Sequence, residues 1–258
     1  MGIKRIDKGV NFKSLPQNIR NLADRSTLLV QAQKRFIQSR APIISNEAYW
    51  QKIVAKFETD KLDDHTLDAS IYAFLKNIVN PEKSIIEFGC GIGRTANVLK
   101  NKGYRNYLGI DVAMKAVVMA KNRLTDMEFR VGNVLTFTSS RKYDAAIATD
   151  VLLYLSPEDQ INALINIGKC LKRGAPLIIR WAPAEEGVEN DVLIKEKVIN
   201  DENVEGWVFL ATEDYVEELL KISGFSLTKP IIKEEVIINP GTPYEKPQDY
   251  LVIFAEKR

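Results

Sequence analysis

Ser84-Ile85-Ile86-Glu87-Phe88-Gly89-Cys90-Gly91-Ile92-Gly93 is the stretch that decides how this chain is read. A short apolar strand runs into an acid and then into three glycines at alternate positions. Glycines at that spacing let the backbone turn sharply and let a ligand approach it closely. Residues 94–102 then read as a helix, whose free N–H groups and positive end face the same ligand. The acid at the strand end favours a ligand with a positive group over one that offers only phosphates. A dinucleotide site also satisfies the pattern. Gly91-x-Gly93-x-x-Ala96 meets the loose glycine fingerprint of such sites, and Asp111 lies about where a ribose-binding acid is expected.

Strands and helices alternate downstream of this stretch. Residues 107–111, 128–131, 143–149 and 175–180 read as strands, with helices over 113–123 and 157–171. The last of these starts on Ser156 as N-cap, Pro157 and Asp159, and Lys172-Arg173-Gly174 ends it. Such alternation builds a parallel sheet with helices on both faces. Residues 181–211 form a long connection with a short helix expected over 190–199, and a connection of that length is commonly a lid or binding element. A helix over 212–222 and two strands, 225–238 and 248–256, close the chain. Two strands without an intervening helix predict an antiparallel final pair. Upstream, stripes at Leu22 to Ile37, Tyr49 to Phe57 and Leu67 to Val79 predict three helices ahead of the first strand.

A length of 258 residues suits one α/β domain with an addition. No apolar run nears the roughly 18 residues of a membrane span, and the N-terminus has no apolar signal region, so a cytoplasmic location without membrane partners is expected. The two cysteines, Cys90 and Cys170, stand in separate elements and form no disulfide framework. A single histidine, His65, disfavours a His-rich zinc site, and no metal is expected. Net charge is +2, but residues 1–40 hold nine Lys/Arg against two Asp, +7, leaving −5 for the rest. A basic arm on an acidic body suits an RNA or acidic protein partner, or simply a solvated helix face.

The acid and three glycines, taken with this strand order, resemble motif I of the class I S-adenosylmethionine (SAM) dependent methyltransferases. The resemblance covers residues 84–258. It implies a Rossmann-like α/β fold: a seven-stranded, mostly parallel sheet with helices on both faces and an antiparallel last strand inserted beside the fifth, here with an N-terminal helical cap. Residues 1–80 are read as basic arm and cap, and 81–258 as the cofactor-binding domain. A dinucleotide fold more often continues into a second βαβαβ half, which this chain lacks.

The resemblance also implies residue roles. Glu87 would lie near the amino group of the cofactor's methionine moiety, and Gly89, Gly91 and Gly93 against its methionine and ribose portions, with Cys90 packed between them. Asp111 would accept from both ribose hydroxyls, with Val112 on the adenine. Asn133 stands where the family commonly has an Asp that accepts the adenine amino group; its amide oxygen can accept without charge. Val134 would pack on the adenine face, and Thr149 beside the transferable methyl. In the segment Thr149-Asp150-Val151-Leu152-Leu153-Tyr154, which resembles motif IV, Asp150 and Tyr154 are the candidates for orienting the substrate or moving a proton. Trp50, Trp181 and His65 are candidates for substrate contact, and His65, beside Asp63 and Asp64, also fits a helix cap. The motif lacks the Asn/Asp-Pro-Pro-aromatic form used on planar amino groups. The implied activity is methyl transfer to an O or N atom of a small molecule. The alternatives are an RNA or protein substrate, protein N-termini included, docked by the basic arm, and a SAM-binding protein without turnover.

Overall fold

From Ile85 onward, apolar runs too short for helices alternate with stripes of helical period, and the chain folds accordingly. The structure is a computed structural model that describes residues 26–38, 49–51, 54, 69–78, 80–184, 193–197, 205–238 and 246–258. Among the described residues two helices come first, α1 (Thr27–Gln38) and α2 (Ala69–Ile78), while most of the helix expected over Tyr49 to Phe57 lies outside them. Strands β1 (Ile85–Phe88), β2 (Tyr107–Asp111), β3 (Glu128–Val131), β4 (Ala145–Thr149) and β5 (Pro176–Trp181) then lie parallel in the order β3-β2-β1-β4-β5. Parallel neighbours require crossovers. Three of these are the helices α3 (Arg94–Asn101), α4 (Met114–Arg123) and α5 (Pro157–Cys170). After β5 come the hairpin β6 (Leu193–Lys197) and β7 (Glu205–Phe209), helix α6 (Glu213–Ile222), and strands β8 (Phe225–Leu227), β9 (Ile232–Ile238) and β10 (Lys246–Lys257). β10 runs antiparallel between β5 on one side and β8 and β9 on the other.

This is the Rossmann-like sheet that the sequence predicts, with two differences. The sheet has eight strands because the expected strand 225–238 is split. Leu227 pairs with Ala255 and Ile232 with Val252, so five residues of this strand span three of β10. Pro230, which has no N–H to donate, falls in that bulge. The second difference is at 190–199, where a helix is expected and β6 forms instead. Its partner Glu205-Gly206-Trp207-Val208-Phe209 is rich in β-formers, and cross-strand pairing from Leu193–Phe209 to Lys197–Glu205 overrides local helix propensity.

Side chains alternate across the sheet. Ile86, Phe88, Leu108, Ile110, Ala146, Ala148, Leu177 and Ile179 are buried on one face, with Leu29 of α1, Leu164 of α5 and Leu219 of α6. Ile85, Tyr107, Phe129, Ala145, Ile147 and Ile178 are buried on the other, with Leu75 of α2, Leu99 of α3 and Val117 of α4. Ser156 and Thr212 cap α5 and α6, each side chain accepting from a backbone N–H three residues on. No helix among the described residues is long and apolar enough to cross a membrane.

At the amino ends of β1 and β4, Asp144 ties the sheet together. Its carboxylate accepts from Ser84 N at 3.0 Å, Ser84 Oγ at 2.7 Å and Lys172 Nζ at 2.7 Å. Burial acts to raise this carboxyl, but the Lys172 and Ser84 hydrogen bonds outweigh it and hold the group well below the usual carboxylate range. Asp144→Asn is expected to cost about 2 kcal/mol at neutral pH, the scale of hydrogen bonds to a charged group. A depressed acid stabilises above its unfolded value and loses that stabilisation as pH falls through the folded one. The melting-temperature gap between wild type and variant should therefore hold from pH 8 to 5 and narrow progressively as pH falls below about 4.

Candidate functional site

The carboxyl ends of β1, β2, β3 and β4 converge, which is where open α/β sheets gather ligands. The loop after β1 is pinned from below, with Gly89 N and Cys90 N both donating to Ile110 O, at 2.7 and 3.1 Å. Gly89 and Gly91 take φ of +77° and +51°, and Gly93, at +91°, is the N-cap of α3. The two first glycines differ in what surrounds them. A Cβ on Gly89 would stand 2.1 Å from Val151 Cγ2, so this position is closed by the segment after β4. A Cβ on Gly91 would meet nothing within 4 Å. Gly91 therefore faces an open cradle, while Gly89 locks one sequence motif against the other.

Asp111 ends β2 and clasps this loop. Its Oδ2 accepts from Gly91 N and its Oδ1 from Ala113 N, each at 2.8 Å. Burial pushes the carboxyl above its usual value, and the N–H groups of Ala113, Gly91 and Val112 oppose the rise. Each oxygen keeps a second lone pair, so the group can still accept from a ligand. Val112 is half-buried beside it. After β3, Asn133 is exposed, and its Oδ1 accepts from Leu135 N at 2.9 Å, closing its own turn. Val134 is partly buried against the core.

Glu87 shares a sheet face with Ile85 and is 1% exposed. The Tyr107 hydroxyl donates to its Oε2. Burial pushes its carboxyl up to about 7, against the hydrogen bonds of Tyr107 and Thr95. Cys90 is buried too, and burial with the nearby Asp111 and Glu87 charges keeps its thiol protonated, which suits packing.

Thr149 and Asp150 end β4 as half-buried residues. Asp150 has φ +56°, and among the described residues it alone combines a side chain with the left-handed region. Such strain persists only where surroundings impose it. Here Asp150 N donates to Arg180 O at 3.2 Å, and both carboxylate oxygens accept from Arg180 Nε at 3.1 Å. Arg180 Nη2 also donates to Oδ2, and the guanidinium stands 4.5 Å from the Tyr250 ring centre. So engaged, the Asp150 carboxylate is held in one orientation. The partner Arg180 escapes a motif search. Its signal in the sequence is a single charge in the otherwise apolar run Pro176-Leu177-Ile178-Ile179-Arg180-Trp181.

Trp50 meets Tyr154 edge to face at 4.8 Å and packs on Ile92, Ala113 and Ala116, so an upstream segment covers both loops. Trp181 is a correction. It is fully buried, donates Nε1–H to Phe209 O at 2.7 Å and packs on Phe209 and Tyr215, so it lines no open surface. Alternation along β5 sends Trp181 inward with Leu177 and Ile179, leaving Arg180 on the opposite face. His65 lies outside the described residues, as do residues 1–25 of the basic arm.

Residues 85–174 match the family model described as a methyltransferase domain. A search of curated proteins by sequence returns no match. Solved structures share the fold. A SAM-dependent methyltransferase from Methanosarcina mazei is 21% identical, with 74% of this chain and 99% of that chain covered and a TM-score of 0.62. The magnesium protoporphyrin IX methyltransferase of Synechocystis is 16% identical over 92% of this chain and 100% of its own, with a TM-score of 0.53. An amino pentose methyltransferase from Micromonospora echinaspora is 15% identical over 80% of this chain and 96% of its own, at 0.54.

Proposed function

We propose that this chain, whose residues 85–174 match a methyltransferase-domain model, is a class I SAM-dependent methyltransferase that transfers the methyl group of that cofactor to an O or N atom of a small molecule. The observation that carries the cofactor reading is the cradle at Gly91, open where a side chain would stand and clasped by the half-buried acid Asp111. Glu87, Gly89, Cys90, Gly91, Gly93, Asp111, Val112, Asn133, Val134 and Thr149 would hold the cofactor. When bound, it supplies an already activated methyl on a sulfonium centre. The chain then has to align the acceptor and exclude water, and positioning of that kind lowers a barrier by as much as ~7–11 kcal/mol. Asp150, fixed by Arg180, and Tyr154 would orient the acceptor. Trp50, seated on Tyr154 and Ile92, supports a small, enclosed acceptor site.

The test is thermal unfolding with SAM, its demethylated product S-adenosylhomocysteine, and NAD. Ligand at about 100 times its dissociation constant stabilises by ~2.7 kcal/mol, several degrees for a chain of this size. SAM and its product should shift wild type but not Asp111→Ala, which loses the clasp on Gly91; a shift with NAD alone overturns the reading. The charge of residues 1–40 favours a second reading, a macromolecular substrate docked by the arm. Its test is truncation of residues 1–25 only, because Leu29, Val30 and Ala32 belong to the core. Loss of RNA or protein methylation on truncation, with small-molecule turnover absent, would favour that second reading.

A further inference from the structure

Glu87 is a carboxyl in an apolar layer. Ile85, Tyr107, Ala145 and Ile147 surround it on its face of the sheet, and α3 covers it. The polar groups that face it come from three elements and the loop: Tyr107 and Asp111 of β2, Thr95 of α3, Arg180 of β5, and the Cys90 thiol. Arg180 is committed to Asp150 and stacked on Tyr250, and no ion pair to Glu87 forms among the described residues. The direct partners are two hydroxyls, that of Thr95 and that of Tyr107, the latter buried and in edge contact with Phe129. A hydroxyl is a neutral donor. It supports a carboxylate without cancelling its charge, so a buried acid in this setting holds its proton to higher pH than an exposed one, and an incoming cation favours its release.

Resting on the cofactor reading above, we propose that Tyr107 is a positioning residue for the cofactor, acting through Glu87: the pair gives up one proton to solvent when the cofactor's ammonium group binds beside it. The step balances. The Glu87 O–H bond breaks, the proton leaves to buffer, and the carboxylate that remains is neutralised by the incoming ammonium and held by the Tyr107 O–H. Burial of Glu87, which pushes its carboxyl to about 7, sets the window in which this exchange is visible.

Titration calorimetry with S-adenosylhomocysteine in phosphate and in Tris, buffers of very different ionisation enthalpy, reads the proton count directly. Wild type should release about one proton per ligand at pH 6 and almost none at pH 8, with affinity rising about tenfold between them. Glu87→Gln should bind more weakly without proton release. Tyr107→Phe removes the donor that favours the carboxylate, so the midpoint of the pH dependence should move upward; a merely structural Tyr107 would weaken binding equally at every pH. Binding with no buffer dependence at pH 6, or release that persists in Glu87→Gln, overturns this inference alone. Absence of binding at any pH overturns the cofactor reading and the inference with it.

Discussion

Gly89→Ala is expected to leave the protein largely unfolded or strongly destabilised, and Gly91→Ala to leave it folded but unable to bind its cofactor. Both positions have positive φ, so each new side chain incurs about 1–2 kcal/mol from the left-handed backbone alone. They differ in space. At Gly89 the added methyl meets Val151 Cγ2 at 2.1 Å. Val151 is β-branched and stiff at χ1, and it sits between the strained Asp150 and the 3₁₀ turn Leu152–Tyr154, so it cannot step aside easily. Overpacking of this kind adds about 1–3 kcal/mol. The total, about 2–5 kcal/mol, is a large share of the roughly 5–15 kcal/mol by which a domain is stable. At Gly91 the methyl enters open space. Its cost to stability is the backbone term, and its cost to function is occupancy of the cradle. Circular dichroism and thermal unfolding with and without S-adenosylhomocysteine separate the two. A Gly91→Ala protein that is folded and still shifted several degrees by the ligand would show that the cradle is not the cofactor site.

Glu87→Gln is expected to stabilise the ligand-free protein at alkaline pH, although it removes a site residue. An acid whose folded value is raised to about 7 contributes fully below its unfolded value near 4.3–4.5, and that contribution is lost as pH rises toward 7. The difference is worth about 3 kcal/mol above pH 7, at ~1.36 kcal/mol per unit. Glutamine escapes it because it does not ionise, and its amide oxygen can still accept from Tyr107. The melting temperature of Glu87→Gln relative to wild type should therefore climb between pH 4.5 and 7.5 and then level off, by up to about 6–12 °C in all. A relative melting temperature that stays flat across this range would show that Glu87 is ionised in the free protein. The constant cost of replacing the side chain does not affect this slope, which makes the slope the useful measurement.

Local pattern was enough to read the parallel sheet, the helices between its strands and the glycine loop. Apolar runs of four to six residues, helical stripes and caps such as Ser156 are written in neighbouring residues. Glu87, Gly89, Gly91, Gly93 and Asp111 were legible as a set for the same reason: a strand end, a turn and the next strand end recur at short, regular spacing. The rest depends on residues far apart in the chain and emerges only from their packing. The hairpin β6–β7 exists because 205–209 offers a partner, not because 193–197 prefers a strand. Trp181 looked available at a strand end and is sealed by Phe209 and Tyr215, 28 and 34 positions away. Asp150 read as a lone acid beside the methyl, and its engagement with Arg180 appears only once β4 and β5 lie side by side. Tyr107 and Glu87 likewise meet only through the register of β1 against β2. Which residues line a sheet edge is a matter of local period; which charges meet there is set by pairing across the sheet, and a side chain's ionisation follows from burial that only the assembled core supplies.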